Sequence, residues 1–274
     1  MAELAFTRSG AGAPLVLLHG LGSSRRAWGP VIPALSERFD VIALDLPGFG
    51  DSEPLPPQVE PTPAALASSV AGFLDTLGIP TPHVAGNSLG GWIALELAGR
   101  RPVASLALLS PAGLWPGKTP LYDRISLRLT RWFARHAGGL ALTLMAYRFP
   151  RILVLGQTHG RPSRIDPEYA RMAIRAIGTC PGFDATMKAA EVRCYQAESS
   201  LDAPVTVAFG SRDFILLAHQ SRHIERLPFG THVVSLPGCG HVPMADDPEA
   251  VAALIIGATS RLSQHRAEQD DPVH

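Results

Sequence analysis

The sequence predicts an α/β fold in which helices cover a mostly parallel, doubly wound sheet. Short apolar runs alternate along the chain with segments of helical periodicity, and turn-forming residues follow each run. Strands that are buried on both faces and joined by right-handed crossovers have this pattern. The alternation stops between residues 114 and 201, where helical periodicity continues without a buried strand. This break predicts a helical insertion.

Six apolar runs are the predicted strands. Each is too short for an independent helix, and most are rich in Val, Leu or Ile. They are residues 15–18, 41–44, 84–85, 105–109, 204–209 and 231–236.

Four segments outside the insertion are predicted helices. Thr62 caps the first, which has Pro63 in its first turn and ends at Gly78. The others cover residues 89–101, 219–227 and 248–262.

These elements define the expected domain organisation. Residues 1–113 and 202–264 would form the core, and residues 265–274, which lack an apolar pattern, would be a flexible tail. Residues 114–201, called the cap segment below, would lie over the carboxyl ends of the strands, where α/β proteins bind ligands.

Charge and cysteine content limit the partners and the compartment. Lys plus Arg and Asp plus Glu each number 24, so no net charge attracts nucleic acid, although residues 114–188 carry twelve basic and four acidic side chains. The three cysteines are widely spaced and form no CxxC, which argues against a disulfide framework and a zinc site. With no signal layout at the N-terminus, we expect a cytoplasmic protein. Nothing in the sequence indicates an oligomeric state.

The stretch HVAGNSLGG contains a candidate nucleophile. Gly86-Asn87-Ser88-Leu89-Gly90 matches G-x-S-x-G between a predicted strand and a predicted helix. The glycines would admit a strained turn that presents the Ser88 hydroxyl at a helix N-terminus, which favours nearby negative charge. A plain structural turn is the alternative.

A serine nucleophile needs a base that a third group orients. His241 follows the last predicted strand in LPGCGHVP, and Asp213 follows another strand end in FGSRD. The order Ser88, Asp213, His241 is the chain order that accompanies a G-x-S-x-G turn in α/β-hydrolases. Separately, His241 could be a loop histidine and Asp213 a helix cap.

The backbone near residue 20 could supply an oxyanion hole. His19-Gly20-Leu21-Gly22 follows the first predicted strand, and the N–H groups of Leu21 and Leu89 are the donors expected to hold the oxyanion. His19 would steady this loop. A dinucleotide loop is excluded because Arg25 stands where its third glycine is needed. Asp45 and Asp51 lie among turn residues without a ligand cluster, so a turn is predicted there in preference to a metal site.

A basic stripe crosses the cap segment. Arg124, Arg128, Arg131 and Arg135 recur at four- and three-residue spacing beside apolar residues. A solvated basic face is the favoured interpretation, and contact with an anionic membrane or attraction of an acidic substrate is the alternative.

Taken together, LLHGLGSS, ALDLPGFGDS, AGNSLGGWIALELA, FGSRD and PGCGHVPMADDPE resemble the α/β-hydrolase superfamily. The resemblance implies an eight-stranded, mostly parallel sheet with a helical cap after the sixth strand, a triad of Ser88, Asp213 and His241, and no need for a metal or cofactor.

Within the superfamily, Ser88 stands where dehalogenases and soluble epoxide hydrolases carry aspartate. GNSLGG is similar to the GNSMGG elbow of hydrolases that cleave carbon–carbon bonds in aromatic ring-fission products. Those enzymes usually have tryptophan after the catalytic histidine, and Val242 stands there in this chain.

Three functions are therefore weighed. The first is a serine carboxylesterase that cleaves an ester of a small hydrophobic substrate through an acyl-enzyme. The second is a carbon–carbon bond hydrolase acting on ring-fission dienoates, with cap arginines holding the carboxylate. The third is a receptor that binds a ligand without turnover.

Overall fold

The structure is a computed structural model that describes residues 3–136, 138–197 and 201–269. Within these residues, seven strands form one sheet in the order β1-β3-β2-β4-β5-β6-β7, with only β1 antiparallel to its neighbour. The strands are β1 (Phe6–Ser9), β2 (Ala13–Leu18), β3 (Phe39–Leu44), β4 (His83–Asn87), β5 (Ser105–Leu109), β6 (Val205–Gly210) and β7 (His232–Leu236).

All six predicted strands are confirmed, as β2 to β7, but the expected count of eight strands is wrong. Strand β1 is exposed along its length and has no apolar run, so its sequence gives no strand signal. It closes one edge of the sheet, and residues 3–5, the only described residues before it, form no strand. The sheet therefore has seven described strands, and the helical insertion follows the fifth.

Eleven α-helices lie within the described ranges. They are α1 (Ile32–Ser36), α2 (Pro63–Thr76), α3 (Leu89–Ala98), α4 (Leu121–His136), α5 (Gly138–Leu144), α6 (Arg148–Leu155), α7 (Pro167–Thr179), α8 (Phe183–Glu191), α9 (Ala218–Ser221), α10 (Pro243–Asp246) and α11 (Pro248–Gln269).

Three of the four predicted core helices are confirmed, as α2, α3 and α11. The fourth, over residues 219–227, is wrong because the helical backbone breaks at Arg222, leaving α9 and a separate 3₁₀ turn over Ile224–Arg226. Helix α11 includes residues 265–269 of the predicted tail, and residues 270–274 lie outside the described residues.

The sheet separates two apolar layers. Alternate side chains of β2, such as Val16 and Leu18, pack with α2 and α3, while Leu15 and Leu17 pack on the other face with α1 and α11. Successive residues of a strand point to opposite faces, so the continuous apolar runs fill both layers.

Helices α4 to α8 lie between β5 and β6 and include a small apolar cluster of their own. Arg131 of α4 is buried there: its guanidinium donates to the carbonyl oxygens of Ile177 and Cys180 and lies over the ring of Phe183. The interpretation of the arginine stripe as a uniformly solvated face is therefore wrong at Arg131.

Among the described helices, none is both long and apolar enough to cross a membrane.

Candidate active site

Ser88 lies in a strained turn between β4 and α3. Its backbone φ is 54° and its ψ is −117°, a conformation that side chains rarely adopt. A Cβ atom at Gly86 would lie 2.3 Å from the carbonyl oxygen of Gly90, and one at Gly90 would lie 2.2 Å from that of Leu18. The glycines predicted around Ser88 are thus required by the close approach of three backbone segments.

The side chain of Ser88 is partly exposed and makes no hydrogen bond to any described residue. The loop after β2 passes beside it, since a Cβ atom at Gly20 would lie 3.2 Å from the Cβ of Ser88. Within the described part of the chain, the N–H groups of Leu21 and Leu89 donate to no backbone carbonyl. The structure thus leaves two backbone donors free on segments that adjoin the serine.

Asp213 and His241 form a buried pair. Nδ1 of His241 lies 3.0 Å from Oδ2 of Asp213, whose other oxygen accepts from the N–H groups of Ile215 and Leu216 at 2.9 and 3.0 Å. Burial alone would raise the pKa of Asp213, but the charge and hydrogen bond of His241 and the two N–H donors outweigh it and lower that pKa. The ionised carboxylate favours a proton on Nδ1 and leaves Nε2 of His241 as an acceptor.

Asn87 joins the loop of the serine to the loop of the histidine, a role that the sequence did not reveal. Its side-chain amide donates to the carbonyl oxygen of Leu109 at 3.0 Å and to that of His241 at 2.9 Å. The residue before Ser88 therefore holds the backbone of His241, although no hydrogen bond between the side chains of Ser88 and His241 is present among the described residues.

Asp246 fastens a loop of the cap segment to the histidine loop and was also missed. Its carboxylate accepts from the N–H groups of Gly160 and Arg161, both at 2.8 Å, and from that of Gly240 at 2.7 Å. A further bond runs from the N–H of Val242 to the carbonyl oxygen of Thr158 at 3.0 Å. The position of His241 thus depends on contacts with both the core and the cap segment.

A third carboxylate, Asp123 of α4, lies close enough to the Asp213–His241 pair for the charges to interact. It is fully buried; Oδ2 accepts from the hydroxyl of Ser221 at 2.8 Å, and Oδ1 has no partner among the described residues. Burial raises the pKa of Asp123 to about 6. The hydrogen bond from Ser221 and the charge of His241 lower this pKa, but their effect is smaller than that of burial. Its sequence context, an acidic residue in a basic helix, carried no signal of this placement.

A cavity of about 610 Å³ adjoins the site. Leu21 and Val242 line it, so the cavity reaches the loop beside Ser88 and the loop of His241, although Ser88 and His241 themselves do not line it. Most of the lining is apolar, and no Asp, Glu, Lys or Arg lines the cavity within the described residues. His159 also lines it; the ring is buried, which lowers its pKa to about 4, and its Nε2 has no hydrogen-bond partner in the described structure.

Two other motifs have structural placements. His19 is fully buried. Its Nδ1 forms a hydrogen bond with the carbonyl oxygen of Gly20, and its Nε2 accepts one from the N–H of Leu46, which fits the predicted role of steadying the loop. Asp45 is likewise buried and accepts from the backbone of Arg25 and Asp51, in the turns that were predicted there.

The model of the alpha/beta hydrolase family matches residues 15–254. The chain belongs to this family. It is 29% identical over 250 residues to a pimeloyl-[acyl-carrier protein] methyl ester esterase of Neisseria meningitidis, covering 87% of this chain and 90% of that one. It is 30% identical over 207 residues to epoxide hydrolase EphH of Mycobacterium tuberculosis. That match covers 74% of this chain and 97% of EphH.

Among solved structures, the fold resembles a thermophilic esterase from Thermogutta terrifontis with a TM-score of 0.75. That match has 26% sequence identity and covers 95% of this chain and 94% of the esterase. The shared fold and the relatives together show a hydrolase of this family.

The raised pKa of Asp123 predicts a pH-dependent stability difference for Asp123→Asn. The folded-state pKa of about 6 exceeds the ordinary value of 3.8, so ionisation of Asp123 has no effect on stability below about pH 4, where the carboxyl is protonated in both states. As pH rises from about 4 to 6 the unfolded state ionises first, and the protein is progressively destabilised. The Asp123→Asn variant should match the wild type near pH 4 and exceed its free energy of unfolding above pH 6, by up to about 3 kcal/mol.

Urea unfolding at several pH values measures this difference. Asp202→Asn, at an exposed position, is the matched control for loss of one carboxylate. A wild-type protein that equals or exceeds the Asp123→Asn variant in stability above pH 6 would contradict the assignment.

Proposed function

We propose that the protein is a serine hydrolase that cleaves a carboxylic ester of a small hydrophobic substrate through an acyl-enzyme. The observation that carries this proposal is the strained, partly exposed Ser88 on a loop bonded to the buried Asp213–His241 pair. The uncharged cavity beside it suits an apolar acyl or alcohol group.

The proposed reaction assigns a role to each of these residues. Nε2 of His241 accepts the proton of the Ser88 hydroxyl as Ser88 Oγ attacks the ester carbon, and Asp213 stabilises the imidazolium. The N–H groups of Leu21 and Leu89 hold the oxyanion. The same histidine then protonates the leaving alcohol and activates the water that releases the acid from Ser88.

The epoxide hydrolase relative suggests a different substrate, which the chemistry of Ser88 disfavours. A serine that opened an epoxide would form an ether with the substrate. Water does not hydrolyse an alkyl ether near neutral pH, so the enzyme would not be regenerated. A serine that attacks an ester forms a new ester, which the same base can hydrolyse. An acyl substrate is therefore the better match to a serine at this position.

Covalent labelling tests the nucleophile directly. Ser88→Ala should abolish labelling by a fluorophosphonate and lower kcat on p-nitrophenyl esters by about 10⁶-fold, the loss typical of removing a nucleophile. The matched control is Ser110→Ala, because Ser110 is the other described non-glycine residue with positive φ. Intact-mass measurement of the labelled proteins reads out the result.

Labelling of the Ser88→Ala variant at the wild-type rate would contradict the proposal. So would loss of labelling in the Ser110→Ala variant with retention in the Ser88→Ala variant. A wild-type protein that binds esters without repeated turnover would instead favour the receptor hypothesis.

The carbon–carbon bond hydrolase is the second candidate, and the similarity of GNSLGG to the elbow of such enzymes is what favours it. That candidate required cap arginines to hold the substrate carboxylate. Arg131 and Arg151 are instead buried against backbone carbonyls, and no arginine lines the cavity within the described residues.

Substrate charge discriminates the two candidates. Because burying an unpaired carboxylate in an apolar cavity is costly, we expect p-nitrophenyl hexanoate to be turned over at least about tenfold faster, by kcat/KM, than the same ester carrying a terminal carboxylate. Ring-fission dienoates, which also carry a carboxylate, should be poorer still. Faster turnover of dienoates than of neutral esters would establish the second candidate.

A further inference from the structure

On helix α4 three polar side chains are buried while large apolar side chains are exposed. Asp123, Ser126 and Arg131 are buried, whereas Leu121, Leu129 and Trp132 are each at least 60% exposed. An amphipathic helix on a water-soluble protein normally has the opposite orientation. The exposed side of α4 is thus suited to an apolar surrounding.

The next two helices continue the same arrangement. Arg151 of α6 is buried and donates to the carbonyl oxygen of Met145. Most of the large apolar side chains of α5 and α6 are exposed, although Leu155 is buried. We call six exposed residues of this surface the apolar cap face: Leu129, Trp132, Leu140, Tyr147, Phe149 and Leu153.

The apolar cap face is continuous with the cavity beside Ser88. Leu129 and Leu153 belong to the face and also line the cavity, together with Phe133 and Leu144, which are themselves more than one-third exposed. Helices α4, α5 and α6 therefore meet around the opening of the cavity. Single exposed apolar residues are common on proteins, but a cluster of this kind marks an interaction site.

The charges around the face select its partner. Between residues 121 and 155 the only carboxylate is Asp123, which is buried, whereas Arg135 and Arg148 are exposed and form no ion pair with any described residue. A second copy of the chain would bring an equally basic cap segment to the contact, and the two would repel. An apolar surface with exposed cations suits a layer that is apolar inside and anionic at its surface.

We propose that the apolar cap face docks onto the surface of a bilayer that contains anionic lipids. The exposed side chains enter the boundary between headgroups and acyl chains, and Arg135 and Arg148 contact the lipid phosphates. The helices lie on the membrane and do not cross it. Docking turns the opening of the cavity towards the bilayer, and it does not depend on the proposed esterase reaction.

Flotation with vesicles tests the docking. The Ser88→Ala variant is used beside the wild type so that lipid hydrolysis cannot alter the vesicles, and phosphatidylcholine vesicles are compared with vesicles containing about one-quarter phosphatidylglycerol. Both proteins should bind the anionic vesicles at least about tenfold more strongly than the neutral ones.

Variants assign the binding to the face. Trp132→Ser/Leu140→Ser/Phe149→Ser changes three exposed side chains that do not line the cavity, and should weaken binding at least about tenfold. Ile224→Ser/Phe229→Ser/Val233→Ser is the matched control, since these exposed apolar residues lie outside the cap segment and should leave binding unchanged. Arg135→Gln/Arg148→Gln should weaken binding to the anionic vesicles alone.

Fluorescence of the unaltered protein gives an independent measurement. Trp28, Trp92 and Trp115 are buried, so quenching by brominated lipid reports on Trp132. Anionic vesicles that contain brominated lipid are expected to quench the fluorescence of Trp132. The proposal would be overturned if the fluorescence were not quenched, or if the triple variant of the cap face and the triple control variant bound vesicles equally. It would also be overturned if ultracentrifugation showed that the cap-face variant only loses a dimer.

Discussion

The backbone of Ser88 is the constraint around which the rest of the site is arranged. A positive φ at a residue other than glycine costs on the order of 1–3 kcal/mol and persists only where its surroundings enforce it. Here β4 on one side and α3 on the other are buried along most of their lengths, and Gly86 and Gly90 admit the close packing of their backbones. Burial of these two elements stabilises the strained turn, and the turn leaves the hydroxyl at a helix N-terminus.

The histidine is positioned from two directions, which links the site to the cap segment. Asn87 holds the backbone of His241 from the core side, and Asp246 holds the same loop while binding the N–H groups of Gly160 and Arg161. Asp123 adds a buried carboxylate from α4 near the same pair. The cap segment therefore places a carboxylate near the Asp213–His241 pair and also forms part of the cavity wall.

Much of the fold was predictable from sequence, and so were the residues of the proposed site, because each signal is local. Ser88 and Asp213 follow the buried strands β4 and β6, and His241 follows the edge strand β7. Parallel strands place their carboxyl ends on one edge of the sheet. Asn87 and Asp123 were not predictable, since their partners lie 154 and 98 residues away. The orientation of α4 was missed for another reason: its periodicity identifies two faces, but only tertiary packing decides which face is buried.

The central claim is that Ser88 is acylated with the developing oxyanion held by the N–H groups of Leu21 and Leu89. A crystal structure of the protein after reaction with a phosphonate ester tests it most directly. The account predicts phosphorus bonded to Oγ of Ser88 and the phosphoryl oxygen about 2.7–3.1 Å from both backbone nitrogens. Phosphorus on another residue, or a phosphoryl oxygen remote from both nitrogens, would contradict it.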